Sequence, residues 1–116
     1  MTDELITLLE SLKYPVFRQG SLSGDEPYPA TFITFWNNDE SGHSYYDDDV
    51  FNVEYDFDVN VYSNDPDTAY SVLDEARALV KQSGWTIQTR AYDAMSDEVT
   101  HIGRGMRIVY LKDENT

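Results

Sequence analysis

Residues 51–61 read FNVEYDFDVNV, from Phe51 to Val61, and every odd position is apolar while every even one is polar. Phe51, Val53, Tyr55, Phe57, Val59 and Val61 alternate with Asn52, Glu54, Asp56, Asp58 and Asn60. This two-residue period predicts a strand with one face on a core and the other in water. At ~3.3 Å per residue it would run about 35 Å, long enough for a central strand of an antiparallel sheet.

The segment that follows supplies the cover for that strand. Asn64-Asp65-Pro66 offers a capping residue and a proline suited to a first helical turn. Ala69, Val72, Leu73, Ala76, Leu79 and Val80 then recur at helical spacing, and Gly84 provides a left-handed stop. A strand and its covering helix therefore form the nucleus of the fold.

At the start of the chain, Thr2 or Asp3 caps a first helix through about Lys13, with Leu5, Ile6, Leu8, Leu9 and Leu12 as its apolar stripe. Residues 14–19 read as a short edge strand with Pro15 near its start. Residues 20–29 (GSLSGDEPYP) are a loop, and residues 30–36 (ATFITFW) a β-branched and aromatic strand. Residues 37–49 are polar and read as a long loop, of the length that tends to carry function. After the helix, residues 85–90 alternate as a strand, 92–104 read as a second long loop, and 105–112 close the sheet.

The expected fold is α+β: a mainly antiparallel, mixed sheet of about five strands with two helices on one face. The 116 residues make a single domain, 1–116, whose one core buries roughly two thirds of the surface of the unfolded chain. No internal repeat interrupts it.

With no cysteine, disulfides, thiolate metal sites and a cysteine nucleophile are all excluded. No window reaches the ~18 apolar residues of a membrane span, which places the chain in the cytosol unless it leaves within an assembly. Twenty-two acids against eight bases give a net charge of minus 14, which argues against binding nucleic acid or an anionic membrane. Fourteen of those acids, but only Lys13 and Arg18 among the bases, lie in residues 1–65. The second half is close to balanced.

Several constellations carry both a chemical and a plain reading. Glu54, Asp56 and Asp58 share one strand face and with Asp47, Asp48 and Asp49 offer carboxylates to a divalent cation, but the stretch lacks the glycine turn of a hard-cation loop. The plain reading is a solvated sheet face paired with Arg90, Arg107 or Lys112 on neighbouring strands. His43 and His101 each lie near acids, yet neither sits in a motif with a nucleophile, so each reads as an exposed or capping histidine. Gly103-Arg104-Gly105 reads as a flexible turn more than a phosphate cradle, with Arg104 free to reach a neighbouring subunit's carboxylate. Trp36, Tyr45 and Tyr46 are either rim packing of this domain or anchors for a protein partner. No motif for catalysis, a metal or a cofactor emerges.

Three runs, TFITFWNNDESGHSYYDDD, YDFDVNVYSNDP and AYDAMSDEVTHIGRGMRIVYL, together resemble the small tail-terminator or tail-completion proteins of tailed bacteriophages and prophages of Gram-positive bacteria. The resemblance spans about Ala30 to Leu111 and is one of pattern and order. It implies a non-enzymatic structural protein, often a hexameric ring, that stops growth at the head-proximal end of the tail tube and docks onto the head connector. It also implies assembly in the host cytoplasm and a final place in the neck of the virion. DNA would pass through such a ring unbound, and an acidic subunit suits that passage by repelling phosphate.

Repulsion between acidic subunits requires bases of the second half to meet acids of the first. Arg77, Lys81, Arg90, Arg104 and Arg107 are the candidates by charge for a head-to-tail contact. The resemblance fits the tail-terminator role and the neighbouring head-closure role alike. Two other classes remain as rivals: an acidic DNA mimic that inhibits a host nucleic-acid enzyme, and a carboxylate metal nuclease dependent on divalent cations.

Overall fold

A computed structural model of the chain describes residues 2–19, 29–44, 51–94, 96 and 100–113. Helix α1 (Thr2–Glu10) is followed by strands β1 (Val16–Arg18), β2 (Thr31–Ser44) and β3 (Phe51–Ser63), helix α2 (Pro66–Gln82), and strands β4 (Thr86–Ile87), β5 (Tyr92–Ala94) and β6 (Ile102–Asp113). The six strands form one sheet in the order β1-β2-β3-β6-β4, with β5 also pairing β6. Only the β1–β2 pair is parallel, so the expected mixed, mainly antiparallel α+β sheet is the one observed.

The alternating strand lies where its pattern requires. β3 pairs β2 on one side and β6 on the other, and Phe57, Val59 and Val61 are fully buried. Register then assigns faces: Ile33 stands opposite Val61, Phe35 opposite Val59, and Ile108 opposite Phe57. These side chains meet Leu5 and Leu9 of α1 and Val72, Leu73, Ala76 and Val80 of α2 in one core. Both helices therefore cover the same face.

The junction between β3 and α2 is fixed by short polar contacts. Buried Ser63 shares a hydrogen bond of 2.9 Å with Thr31, and its Oγ accepts from the Asp65 amide at 3.1 Å. Asp65 caps α2, accepting from the Asp67 amide at 3.1 Å and from the Thr68 hydroxyl at 3.0 Å, with Pro66 in the first turn. At the other end the chain turns through Gly84 at φ 97°, and the Trp85 amide returns to the Val80 carbonyl.

Four expectations are corrected. The first helix stops at Glu10 and not near Lys13, because a turn over Ser11–Leu12 delivers Lys13 into the left-handed region at φ 72°. Residues 37–44 are not a loop: they continue β2, paired residue by residue with β3 from Phe57 back to Phe51, with a bulge at Asn38. Their polar sequence is poor in strand formers, and the ladder supplied by β3 overrides it. The strand expected over 85–90 shrinks to Thr86–Ile87.

The last correction concerns residues 92–104. Tyr92–Ala94 form β5, and β6 begins at Ile102, so Gly103 and Gly105 sit in a strand and not in a flexible turn. A Cβ at Gly103 would lie 2.7 Å from both the Ala94 carbonyl oxygen and the Tyr62 ring, and one at Gly105 2.7 Å from the Tyr92 ring. Two tyrosine rings lie over bare backbone, and that close approach is what the glycines permit. No helix among the described residues is long and apolar enough to cross a membrane.

Candidate interaction surface

Helices cover one face of the sheet, and the alternation of the strands puts a second set of side chains on the other. Phe32, Thr34 and Trp36 of β2 stand opposite Tyr62, Asn60 and Asp58 of β3, which in turn stand opposite Gly103, Gly105 and Arg107 of β6. This face divides into an aromatic end, a charged middle and two exposed apolar side chains.

At the aromatic end Phe32 stacks on Tyr62 at 5.2 Å between centroids, and Phe17 of β1 meets Phe32 edge-on at 6.1 Å. His101 joins this cluster 5.9 Å from the Phe32 ring and is buried, so of the two expectations, exposed or capping, the exposed one does not hold. Its Nε2 lies 2.8 Å from the Pro29 carbonyl oxygen, which can only accept, so Nε2 carries the proton. Nδ1 lies 3.0 Å from the Thr100 hydroxyl. His101 therefore ties the start of β6 to the segment preceding β2.

In the middle, Asp56 is buried and receives the Arg107 guanidinium through a fork. Arg107 Nε donates to Oδ1 at 2.8 Å and to Oδ2 at 3.0 Å, while its Nη2 donates to Oδ2 as well. These charge-assisted hydrogen bonds hold the Asp56 carboxyl below the usual aspartate range against the opposing effect of burial, with a smaller contribution from Asn38 at 3.4 Å. The same pairing raises the Arg107 guanidinium further above its already high value. Tyr92 donates its hydroxyl to Asp58 at 3.4 Å, and burial, followed by the Asp58 charge, pushes the phenol up to about 12.

Of the residues singled out from the sequence, Trp36 is on this face and 49% exposed. Arg107 is spent on Asp56 within the chain. Arg104 points to the helix side, where it bonds Asp93 at 2.7 Å and lies 4.6 Å over the Tyr70 ring of α2. Arg90 is exposed between β4 and β5, as are Arg77 and Lys81 on α2. Tyr45 and Tyr46 fall outside the described residues. Trp36 and Arg107 thus share one face, and Arg104 does not join them.

The carboxylate row resolves in favour of pairing with a base, since Asp56 is taken by Arg107. Among the described residues no group of three or more histidine, aspartate or glutamate side chains is placed to hold a metal ion. Asp47, Asp48 and Asp49 lie outside them, and the His43 backbone falls in β2. Sequence reasoning missed Leu111, 57% exposed on the helix-free face, and the Phe32–Tyr62–His101 cluster. The alternation of β6 contains the signal for Leu111, since Met106, Ile108 and Tyr110 take the core side and leave Leu111 opposite Glu54. The cluster leaves none, because it depends on the β2–β3 register.

An open groove of about 480 Å³ lies at the start of β6, lined by Tyr70, Asp93, Ala94, Ser96, His101, Ile102 and Gly103.

No protein-family model matches the chain, and no curated protein matches it. Among solved structures, a chain in the virion of a native gene transfer agent particle matches over 94% of this chain and 84% of that one, at 13% identity and a TM-score of 0.51. The chain therefore shares its fold, nearly end to end, with a chain of that particle.

Proposed function

We propose that the protein is a structural component of a phage-like particle, standing at the head-proximal end of the tail. There its copies close into a hexameric ring that caps the tail tube and meets the head connector. The observation that carries this reading is the likeness of fold, over 94% of the chain, to a chain in the virion of a gene transfer agent. The order and pattern of residues 30–111 support it from the sequence side. On this reading the chain does no catalysis, binds no cofactor, assembles in the host cytoplasm and ends in the neck of the virion.

Charge and exposure fit the same role. A minus 14 subunit lining a passage repels DNA. Arg104 and Arg107 are engaged within the chain, so the ring contact draws on exposed Trp36 and on Arg77, Lys81 and Arg90. Electron microscopy of tail tubes polymerised with and without the protein tests the role. Shorter tubes with density on one end support it, and tubes of unchanged length with bare ends overturn it. A protein that ignores tubes but binds a basic host nuclease or polymerase would be the acidic mimic instead.

A further inference from the structure

Between α1 and the turn that joins α2 to β4 lies a cavity of about 170 Å³, lined by Glu4, Leu8, Ser83, Trp85 and Tyr110. Two aromatic rings make its corner: Trp85 and Tyr110 stand 5.2 Å apart between centroids, at 57°. We infer that this corner receives the ammonium group of a lysine side chain from a different protein.

The chain builds the corner from the core outward. Trp85 is buried, its amide returns to the Val80 carbonyl at 3.0 Å, and Phe57 of β3 meets its ring edge-on at 5.9 Å. Tyr110 closes in over the turn, where φ is 97° and a Cβ at Gly84 would come 3.2 Å from the Tyr110 ring. Glycine thus gives both the turn and the room for the ring.

Size and charge select the occupant. The volume falls below the ~300 Å³ at which pockets begin to take drug-sized ligands or cofactors, so one side chain fits and a nucleotide does not. Ring faces attract a cation, and the Glu4 carboxylate on the wall adds its charge, while Leu8 suits the apolar stem of a lysine. α2 ends beside the cavity, where the partial negative charge of a helix C-terminus favours a cation, and the opposite end of α1 is offset by Asp3 and Glu4 in its first turn. Lys112 already brings its Nζ to 3.5 Å from Glu4, a long contact between two partly exposed groups that a better-seated ammonium can displace.

A second copy is a poor source of that ammonium. Arg77 and Lys81 stand on the helix whose end borders the cavity, so their entry into another copy would bring two chains of minus 14 together through one and the same patch. A basic partner is attracted instead. This inference goes beyond the ring, whose contacts it neither needs nor uses.

The test follows the two indole N–H signals of the whole, isotope-labelled protein, Trp85 in the cavity and Trp36 on the helix-free face. The probe is a short blocked peptide with one lysine among glycines, and its control carries norleucine, which keeps the stem and loses the charge. The lysine peptide should move the Trp85 signal saturably and leave Trp36 in place, with the norleucine peptide roughly fivefold weaker or worse. Glu4→Gln should weaken binding by a similar factor. Glu10→Gln, the same loss of charge on the same helix away from the cavity, should not. Ser83→Phe, at an exposed helix end, should fill the cavity and abolish the response. Equal binding of both peptides, or equal loss from both glutamate variants, would overturn the inference. So would a Trp85 signal that moves with protein concentration alone, since a second copy would then be the occupant. A protein that caps tubes yet fails this test loses the lysine site only.

Discussion

Arg107 stands directly across from Asp58 in the β3–β6 ladder but bonds Asp56, two residues along the same face. The diagonal leaves Asp58 to Tyr92, so two acids on one strand acquire two different partners. The consequence is a polar strip built into the middle of the helix-free face.

Asp56 is buried, and its hydrogen bonds come mainly from Arg107. Asp56→Asn should cost about 1–2 kcal/mol at neutral pH, at the modest end for a hydrogen bond to a charged group because the arginine is half exposed to solvent. The folded carboxyl lies below its unfolded value of about 3.9, so its stabilising effect is complete above about pH 4 and is lost as pH falls through the folded value. Urea melts at descending pH should show a shallower acid limb for Asp56→Asn. An unchanged limb would contradict the assignment.

Tyr92 gives the opposite sign. Its folded value of about 12 lies above the ordinary value of 10.0, so the neutral phenol stabilises the fold fully below about pH 10 and that contribution is lost as pH rises through 12. Titration of tyrosinate absorbance should show a late ionisation belonging to Tyr92. Asp58→Asn should bring that step down, and Tyr92→Phe should abolish it.

Gly103 separates close approach from flexibility. If Gly103-Arg104-Gly105 were a mobile turn, Gly103→Ala would be nearly silent. Because a Cβ there meets the Ala94 carbonyl and the Tyr62 ring at 2.7 Å, the substitution should cost about 1–3 kcal/mol and loosen β5 from β6. Thermal melts and amide exchange across Tyr92–Ala94 read both effects.

Phe57 and Leu111 form a contrasting pair. Phe57 is fully buried, edge-on to Trp85 at 5.9 Å, and Phe57→Ala should cost about 3–5 kcal/mol. Leu111 is 57% exposed, and Leu111→Ala should stay within about 0.5 kcal/mol by equilibrium unfolding of the isolated protein.

The nucleus of the fold was legible because its signals are local. The alternation of residues 51–61, the Asp65-Pro66 cap and the helical spacing from Ala69 to Val80 each say where one face of one element goes, and all three hold. What escaped depends on partners distant in sequence. Residues 37–44 carry loop-like chemistry and become strand only because β3 pairs them, and Gly103 and Gly105 are strand because β3 and β5 pair them, with the Tyr62 and Tyr92 rings lying over them. The same holds for the helix-free face of the sheet. Trp36 could be singled out by type, whereas the Asp56–Arg107 diagonal follows from a register that no stretch of sequence records.

The most direct test of the assembly account is the mass of the protein in solution, by light scattering, at low and physiological salt over a wide range of concentration. The account predicts a concentration-dependent species of about six subunits, favoured by salt that screens the repulsion between minus 14 subunits. A strict monomer under every condition, unchanged by added tail tubes, would contradict it.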